Sequence, residues 1–261
     1  MENQDNYKDL PLVSIITVTY NSGHTILDTL ESVQSQDYPH IEHIIIDGLS
    51  TDDTMKKVAS YAHISKAISE KDRGMYDALN KGIKAATGKY VGILNSDDTY
   101  TNTNVLTKVV QTLQEDNDIE AVIGELKFVS SHDNGKALRY CKSVDWTPEK
   151  FKKGIMPNHP TYYTLKANYD KYGYYKLDYK IAADFELMIR HLYHGKILYK
   201  YIPECLVNML PGGLSNGSIR KRITNNKENI RACRENGIST NWLRMSSKVV
   251  GKLKEYIHTN G

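Results

Sequence analysis

The chain has 261 residues, 40% hydrophobic and 25% charged, enough for one large soluble domain or a domain with an appendage. A formal charge of +3 is too small to point to nucleic acid, and the scattered Cys141, Cys205 and Cys233 offer neither metal-ligand spacing nor a disulfide framework, which fits a reducing compartment. The polar stretch Met1 to Asp9 is unlike a signal peptide and no apolar run is long enough for a membrane span, so a cytoplasmic location is expected.

Leu12 to Thr19 is a β-branched run and reads as a first buried strand. A turn at Tyr20-Asn21-Ser22-Gly23 leads to a helix carrying Ile26, Leu27, Leu30 and Val33 on one face. Ile41 to Ile46 is the second strand, ending in Asp47-Gly48, and Ser50-Thr51-Asp52-Asp53 caps the next helix. Asp52 suits that cap better than a ligand contact. Ile64 to Ser69 is a weaker third strand. The charged loop Glu70-Lys71-Asp72-Arg73-Gly74 precedes a helix with Met75, Ala78, Leu79, Ile83 and Ala86 on one stripe. Asp77 and Asn80 on this helix read as pocket residues or surface polars. Tyr90 to Leu94 is a fourth strand and stops at Asn95-Ser96-Asp97-Asp98. A helix with Val105, Leu106, Val109, Val110 and Leu113 follows, and Ala121 to Val129 alternates like a strand.

Strand–helix alternation repeated four times implies an α/β fold with a mostly parallel central sheet and helices on both faces. Asp47, the Glu70–Asp72 loop and Asp97-Asp98 all follow strands, so they gather on the sheet's C-terminal edge, where such folds bind ligands. Two adjacent acids at a strand end repel each other unless a cation lies between them. Asn95-Ser96-Asp97-Asp98 is therefore either a turn and helix cap or a divalent-metal site, and the gathering of three acidic clusters favours the second reading.

The second half is less regular. An irregular loop surrounds Asn158 and His159, and seven tyrosines fall between Tyr162 and Tyr179. The spacing predicts a helix over Ile181 to Leu192, with Ile181, Phe185, Met188, Ile189 and Leu192 on its apolar stripe. On that wheel Asp184 is half buried, whereas Glu186 faces water and pairs with Arg190 at i, i+4. From Ile219 the chain becomes basic and amphipathic, which suits an anionic membrane surface or a helix packed on its own domain.

There is no G-x-G-x-x-G, no G-x-x-x-x-G-K-[ST] and no G-x-S-x-G. An acidic sheet edge with few fixed cations suits a diphosphate bridged by metal, and Asp184 suits a proton acceptor.

Five stretches in order carry a resemblance: Val13 to Asn21, Ile46 to Thr54, Glu70 to Gly82, Leu94-Asn95-Ser96-Asp97-Asp98, and Ala183-Asp184-Phe185-Glu186-Leu187. Together they resemble the family 2 glycosyltransferases of the GT-A fold, in the branch that builds bacterial cell-surface polysaccharides. The resemblance implies a Rossmann-like GT-A domain over residues 1–218. Its nucleotide-binding half spans about residues 11–130 and its acceptor half about 131–218, with a basic C-terminal helical segment over 219–261. It implies an inverting, metal-dependent transfer from a nucleotide sugar, most simply a UDP-sugar, to a glycan or lipid-linked acceptor. Thr19, Asn21, Asp47, Asp72, Asn80, Asn95 and Ser96 would hold the nucleotide sugar, with Asp47 accepting from the base. Asp97, with Asp98 beside it, would bind Mg²⁺ or Mn²⁺, and Asp184 would be the general base. Read from its own loop, His159 is either a structural loop histidine or a contact to the acceptor or the diphosphate. Asn95 departs from the family's D-x-D, keeping a hydrogen-bonding group but losing a charge. Two other readings compete. A sugar nucleotidyltransferase would need a glycine- and arginine-rich first loop, which Tyr20 to His24 is not. An inactive nucleotide- or sugar-binding module is the reading that Asn95 itself favours. The tail adds a possible peripheral contact with the inner face of the cytoplasmic membrane, and no nucleic-acid partner is expected.

Overall fold

The computed structural model describes residues 10–132, 135–211 and 219–245. In chain order the elements are β1 Val13–Thr19, α1 Ile26–Gln34, β2 Ile41–Asp47, α2 Thr54–Val58, β3 Ile64–Ser69, α3 Met75–Ala85, β4 Tyr90–Ile93, β5 Asp98–Tyr100, α4 Val105–Gln114, β6 Ala121–Val129, β7 Ala137–Cys141, β8 Tyr163–Leu165, α5 Lys166–Tyr172, α6 Ala183–Met188, β9 Tyr199–Met209 and α7 Ile219–Glu235. The sheet order is β3-β2-β1-β4-β8-β6-β9-β5, with β7 paired to β6. β3, β2, β1 and β4 are parallel. β8 is antiparallel to both β4 and β6, so β6 runs with β4, and β9 runs with β6.

β1 is buried throughout, its polar Ser14, Thr17 and Thr19 included, because it lies mid-sheet with both faces covered. Its side chains alternate. Val13 and Ile15 join Val105, Val109 and Leu113 of α4 on one face. Ile16 and Val18 join Ala78, Leu79 and Ile83 of α3, and Phe185 and Met188 of α6, on the other. Gly82 lets α3 approach: a Cβ there would stand 2.4 Å from Ile16 Cγ2. β3 is mostly exposed at the sheet edge, which explains its weak apolar signal.

Three features differ from the sequence expectations. The three-residue strands β5 and β8 carry too few side chains for hydropathy to announce them. The helix expected over Ile181 to Leu192 is α6 followed by a wide π turn over Ile189–His194, so a single 100° wheel does not hold across it. Glu186 does not face water. It is fully buried, bonded through both oxygens to Arg190 Nε (3.0 and 2.9 Å) and paired with Lys176 (2.9 Å). Residues 219–245 pack on the domain, as the second of the two readings of the basic segment expects. Ile230, Ala232, Cys233, Ile238 and Met245 sit in the same core as Phe185. Residues 246–261, the rest of the basic segment, lie outside the described residues. Among the described residues no helix is long and apolar enough to cross a membrane.

Candidate active site

From β1 the connections step outward through β2 to β3, then return to place β4 on the other side of β1. Such a reversal opens a crevice at the C-terminal ends of the strands. Thr19, Asp47-Gly48, Asp72 and Leu94–Asp98 all follow those ends.

Thr19 is buried, and its Oγ1 has no hydrogen-bond partner. An orphaned buried hydroxyl at a strand end is open to bond a water or a ligand. Tyr20 follows it and is 64% exposed. A Cβ on Gly48 would lie 2.6 Å from Asp72 Oδ2 and 3.5 Å from Tyr20 Cδ2. Bare backbone at Gly48 is thus flanked by a carboxylate and an aromatic ring. Tyr20 was not among the residues singled out from sequence, although a tyrosine directly after a buried strand end was the available signal.

Two expected ligand contacts hold turns together. Asn21 adopts φ 50°. Its N–H donates to Ser50 Oγ (2.7 Å) and its Oδ1 accepts from the Thr51 N–H (2.8 Å), tying the β1 and β2 turns. Asp47 is buried and accepts from the Ser50 N–H (3.0 Å), the Ser50 hydroxyl (2.5 Å) and the Ser69 hydroxyl (2.6 Å). These bonds offset the cost of Leu49 at φ 64°, a region that side chains disfavour. Asp52 also fastens the β1 turn, accepting from the Gly23 N–H (2.9 Å) and the Thr54 N–H (3.0 Å). Asn80 requires a correction. Its amide is buried and bonds both the carbonyl (2.8 Å) and the N–H (2.9 Å) of Tyr175, so neither end faces a nucleotide. Asp77 pairs with Arg73 at 3.1 Å.

The adjacent acids separate. Asp98 opens β5 and points inward, accepting from Asn95 Nδ2 at 3.0 Å. Burial, with Asp97 beside it, pushes its carboxyl up to about 8. A carboxyl so enclosed is a poor first ligand for a cation. Asp97 is only partly buried, and no hydrogen bond or ion pair engages its carboxylate among the described residues. Its carbonyl bonds His132 Nε2 at 2.9 Å, and Thr99 Oγ1 lies 3.2 Å from Nδ1 of the same ring. His132 was another residue that spacing did not announce. Ser96 donates to Ser22 Oγ at 2.9 Å. No group of three His, Cys, Asp or Glu side chains among the described residues forms a cation cage. Asp97 therefore fits a Mg²⁺ or Mn²⁺ ion that draws its other ligands from diphosphate oxygens and water, the usual arrangement for such ions on phosphates.

β8 runs antiparallel to β4 with Val91 opposite Thr164. Going back from Thr164 along the chain therefore leads towards Leu94–Asp98, and the short 3₁₀ turn His159–Thr161 lies that way. There His159 Nδ1 stands 3.4 Å from Asp184 Oδ2. Asp184 is recessed, its side chain 15% exposed. Burial raises its carboxyl above the usual range, while the neighbouring His159 works the other way. Its Oδ1 accepts from the Phe185 N–H at 2.8 Å. Tyr76 of α3 donates to the carbonyl of Ile181 at 2.5 Å and stacks on Tyr175, which ties Asp184 to the helix that follows Asp72.

The Rossmann-like sheet thus has a crevice at its switch point, with Asp97, whose carboxylate bonds nothing among the described residues, at a strand end and the recessed Asp184 beside His159. Residues 14–176 match the family described as Glycosyl transferase family 2, and the chain belongs to that family. It is a glycosyltransferase that takes a sugar from a nucleotide-sugar donor. The chain is 26% identical over 216 residues to the PGL/p-HBAD biosynthesis glycosyltransferase of Mycobacterium bovis, covering 81% of this chain and 82% of that one. Its fold is similar to that of S. aureus TarS, with a TM-score of 0.65 and 19% identity over 84% of this chain and 39% of TarS. A 1–349 fragment of TarS has been solved with UDP-GlcNAc. The mannosyltransferase PcManGT from Pyrobaculum calidifontis, solved with GDP-Man and Mn²⁺, gives a TM-score of 0.64 at 20% identity over 86% of this chain and 64% of that one.

Proposed function

We infer that the chain is an inverting, metal-dependent hexosyl- or N-acetylhexosaminyltransferase that moves the sugar of a UDP-sugar to a glycan or lipid-linked acceptor in a single displacement. The observation that carries this reading is Asp184, recessed and beside His159 on the same sheet edge as Asp97. Asp184 accepts the proton of the acceptor hydroxyl while that oxygen attacks the anomeric carbon and the nucleoside diphosphate leaves. Burial raises its basicity towards that task. His159 keeps the carboxylate oriented and offers its other ring nitrogen to the acceptor or the diphosphate. Tyr20 stacks on the base, Gly48 gives it room, and Asp72 accepts from it. The buried Thr19 hydroxyl lies where the nucleoside enters. Asn95 and Ser96 line the floor, and Asp97 would hold the Mg²⁺ or Mn²⁺, whose positive charge would stabilise the leaving diphosphate. The bound UDP-GlcNAc of TarS and the Mn²⁺ of PcManGT support a nucleotide sugar and a divalent ion as partners. The mycobacterial relative's role in PGL/p-HBAD biosynthesis supports an envelope-type acceptor.

A panel of UDP-, GDP- and dTDP-sugars, scored for nucleoside diphosphate release with Mg²⁺, Mn²⁺ or chelator, tests donor and metal together. Asp184→Asn is expected to abolish transfer while nucleoside diphosphate binding stays close to wild type. Normal transfer by that variant would remove Asp184 from the mechanism.

Contact with the inner membrane face would come from the exposed Arg220, Lys221, Arg222, Lys227 and Arg234, with Trp242 and Leu243, 47% and 82% exposed, as apolar contacts. Co-sedimentation with anionic but not neutral liposomes at low salt is the expected behaviour. No sedimentation with either would dismiss it.

A further inference from the structure

α7 grips the turn that leads into the helix of Asp184. Glu228 accepts three consecutive backbone N–H groups through one carboxylate. Lys180 donates at 2.9 Å, Ile181 at 2.9 Å and Ala182 at 3.0 Å. Charge-assisted bonds of this kind are about twice as strong as neutral ones. Helix ends are more often capped by a residue of the same turn; here the carboxylate comes from a helix 46 to 48 residues further along the chain.

The rest of the turn is held from the same side. Arg231, three residues on from Glu228, pairs with the Asp178 carboxylate, donates to the Asp178 carbonyl (3.2 Å) and lies 4.4 Å over the Tyr179 ring. Tyr179 donates to Glu235 at 2.9 Å, which also pairs with Lys176 at 3.0 Å. The Ile181 peptide is fixed at both ends, its N–H by Glu228 and its carbonyl by Tyr76. Next to Glu228 on α7, Ile230, Ala232 and Cys233 are in the core, so the carboxylate is mounted on an immobilised element. Asp184 begins two residues after the last of the three N–H groups.

We propose that Glu228 is a positioning residue for the catalytic base, fixing the backbone from Lys180 to Ala182 so that the Asp184 carboxylate meets the acceptor hydroxyl in line for transfer. It rests on the reading of Asp184 as base. A displacement of about 1 Å at a reacting group costs up to about 100-fold in rate. Glu228 therefore acts on turnover rather than on donor affinity, since none of its bonds reaches Thr19, Gly48, Asp72 or Asp97.

The test uses the full chain with three variants, Glu228→Ala, Glu228→Gln and Asp184→Asn, and the donor that the sugar panel identifies. Transfer kinetics, nucleoside diphosphate binding by calorimetry and melting temperature are measured for each. Glu228→Ala is expected to lower kcat by about 10-fold or more, with donor KM and diphosphate affinity within about two-fold. Glu228→Gln keeps an acceptor oxygen and restores part of that loss. Wild-type kcat in Glu228→Ala, while Asp184→Asn is inactive, would overturn the positioning role and leave Asp184 as base. Should the alanine variant fail to fold, the glutamine variant decides. A fall in kcat with unchanged donor affinity supports the role; equal losses in kcat and donor affinity mark general loosening and overturn it. Normal transfer by Asp184→Asn would overturn both readings at once.

Discussion

Replacing Glu186 with alanine should be among the most destabilising single changes in the C-terminal half. The carboxylate is 0% exposed and faces Arg190, itself 15% exposed, through two oxygens. Breaking a buried ion pair from one side costs about 3–5 kcal/mol, because a charge is left in a poor solvent. The low end applies here. Arg190 keeps the carbonyls of Tyr172, Gly173 and Tyr174 as acceptors, and Lys176 keeps Glu235. For a chain of this size about 2–4 °C of melting temperature goes with each kcal/mol, so a loss of about 3 kcal/mol corresponds to roughly 6–12 °C. A water-facing pair at i, i+4 would contribute only about 0.3–0.5 kcal/mol and barely move the midpoint. Urea unfolding and a thermal scan of Glu186→Ala against wild type separate the two. A melting temperature within about 2 °C of wild type would refute the buried network.

Asn80→Ala should cost about 1–3 kcal/mol by leaving the buried carbonyl and N–H of Tyr175 unpaired, with nucleoside diphosphate affinity unchanged in calorimetry. Gly48→Ala should weaken nucleoside diphosphate binding by about 10-fold at similar kcat, since its methyl takes the space beside Tyr20 and Asp72. The His191 and His43 imidazoles, both fully buried, are pushed down to about 3 by burial. In the unfolded chain they bind protons near 6.5, so below that pH the unfolded state holds more protons and stability falls until about pH 3. His191→Gln should flatten that acid limb, and NMR titration should show no His191 transition between pH 5 and 8. Asp98 has the opposite sign. Its folded carboxyl holds a proton up to about 8, so it lowers stability as pH rises from about 4 towards 8 in chelator. Asp98→Asn should remove that slope in a pH series of urea midpoints.

The parallel half of the fold is legible in the sequence because both faces of β1 and β2 are covered, so β-branched apolar residues crowd into short runs there even though Ser14, Thr17, Glu42 and His43 are buried among them. The edge location of Asp47, Asp72 and Asp97 follows from that alternation alone. What hydropathy does not carry is partnership across the chain. Asn80 bonds a backbone 95 residues away. Glu186 looks water-facing on its own wheel because, beyond the expected Arg190, Lys176 and Asn236 come to it from outside that helix. Asp97 and Asp98 are indistinguishable as letters. Pairing of Asp98 with Met209 of β9 makes it the first residue of a strand and turns its carboxylate inward.

The placement of β8 has a further consequence. β8, which comes after residue 131, lies between β4 and β6, which come before it, and is bonded to both. The two halves are interleaved like the fingers of clasped hands, and a chain cut near residue 131 would leave a slot in the middle of the first sheet. The turn that carries Asp97 and the turn that carries His159 thus adjoin neighbouring, hydrogen-bonded strands of one sheet, β4 and β8.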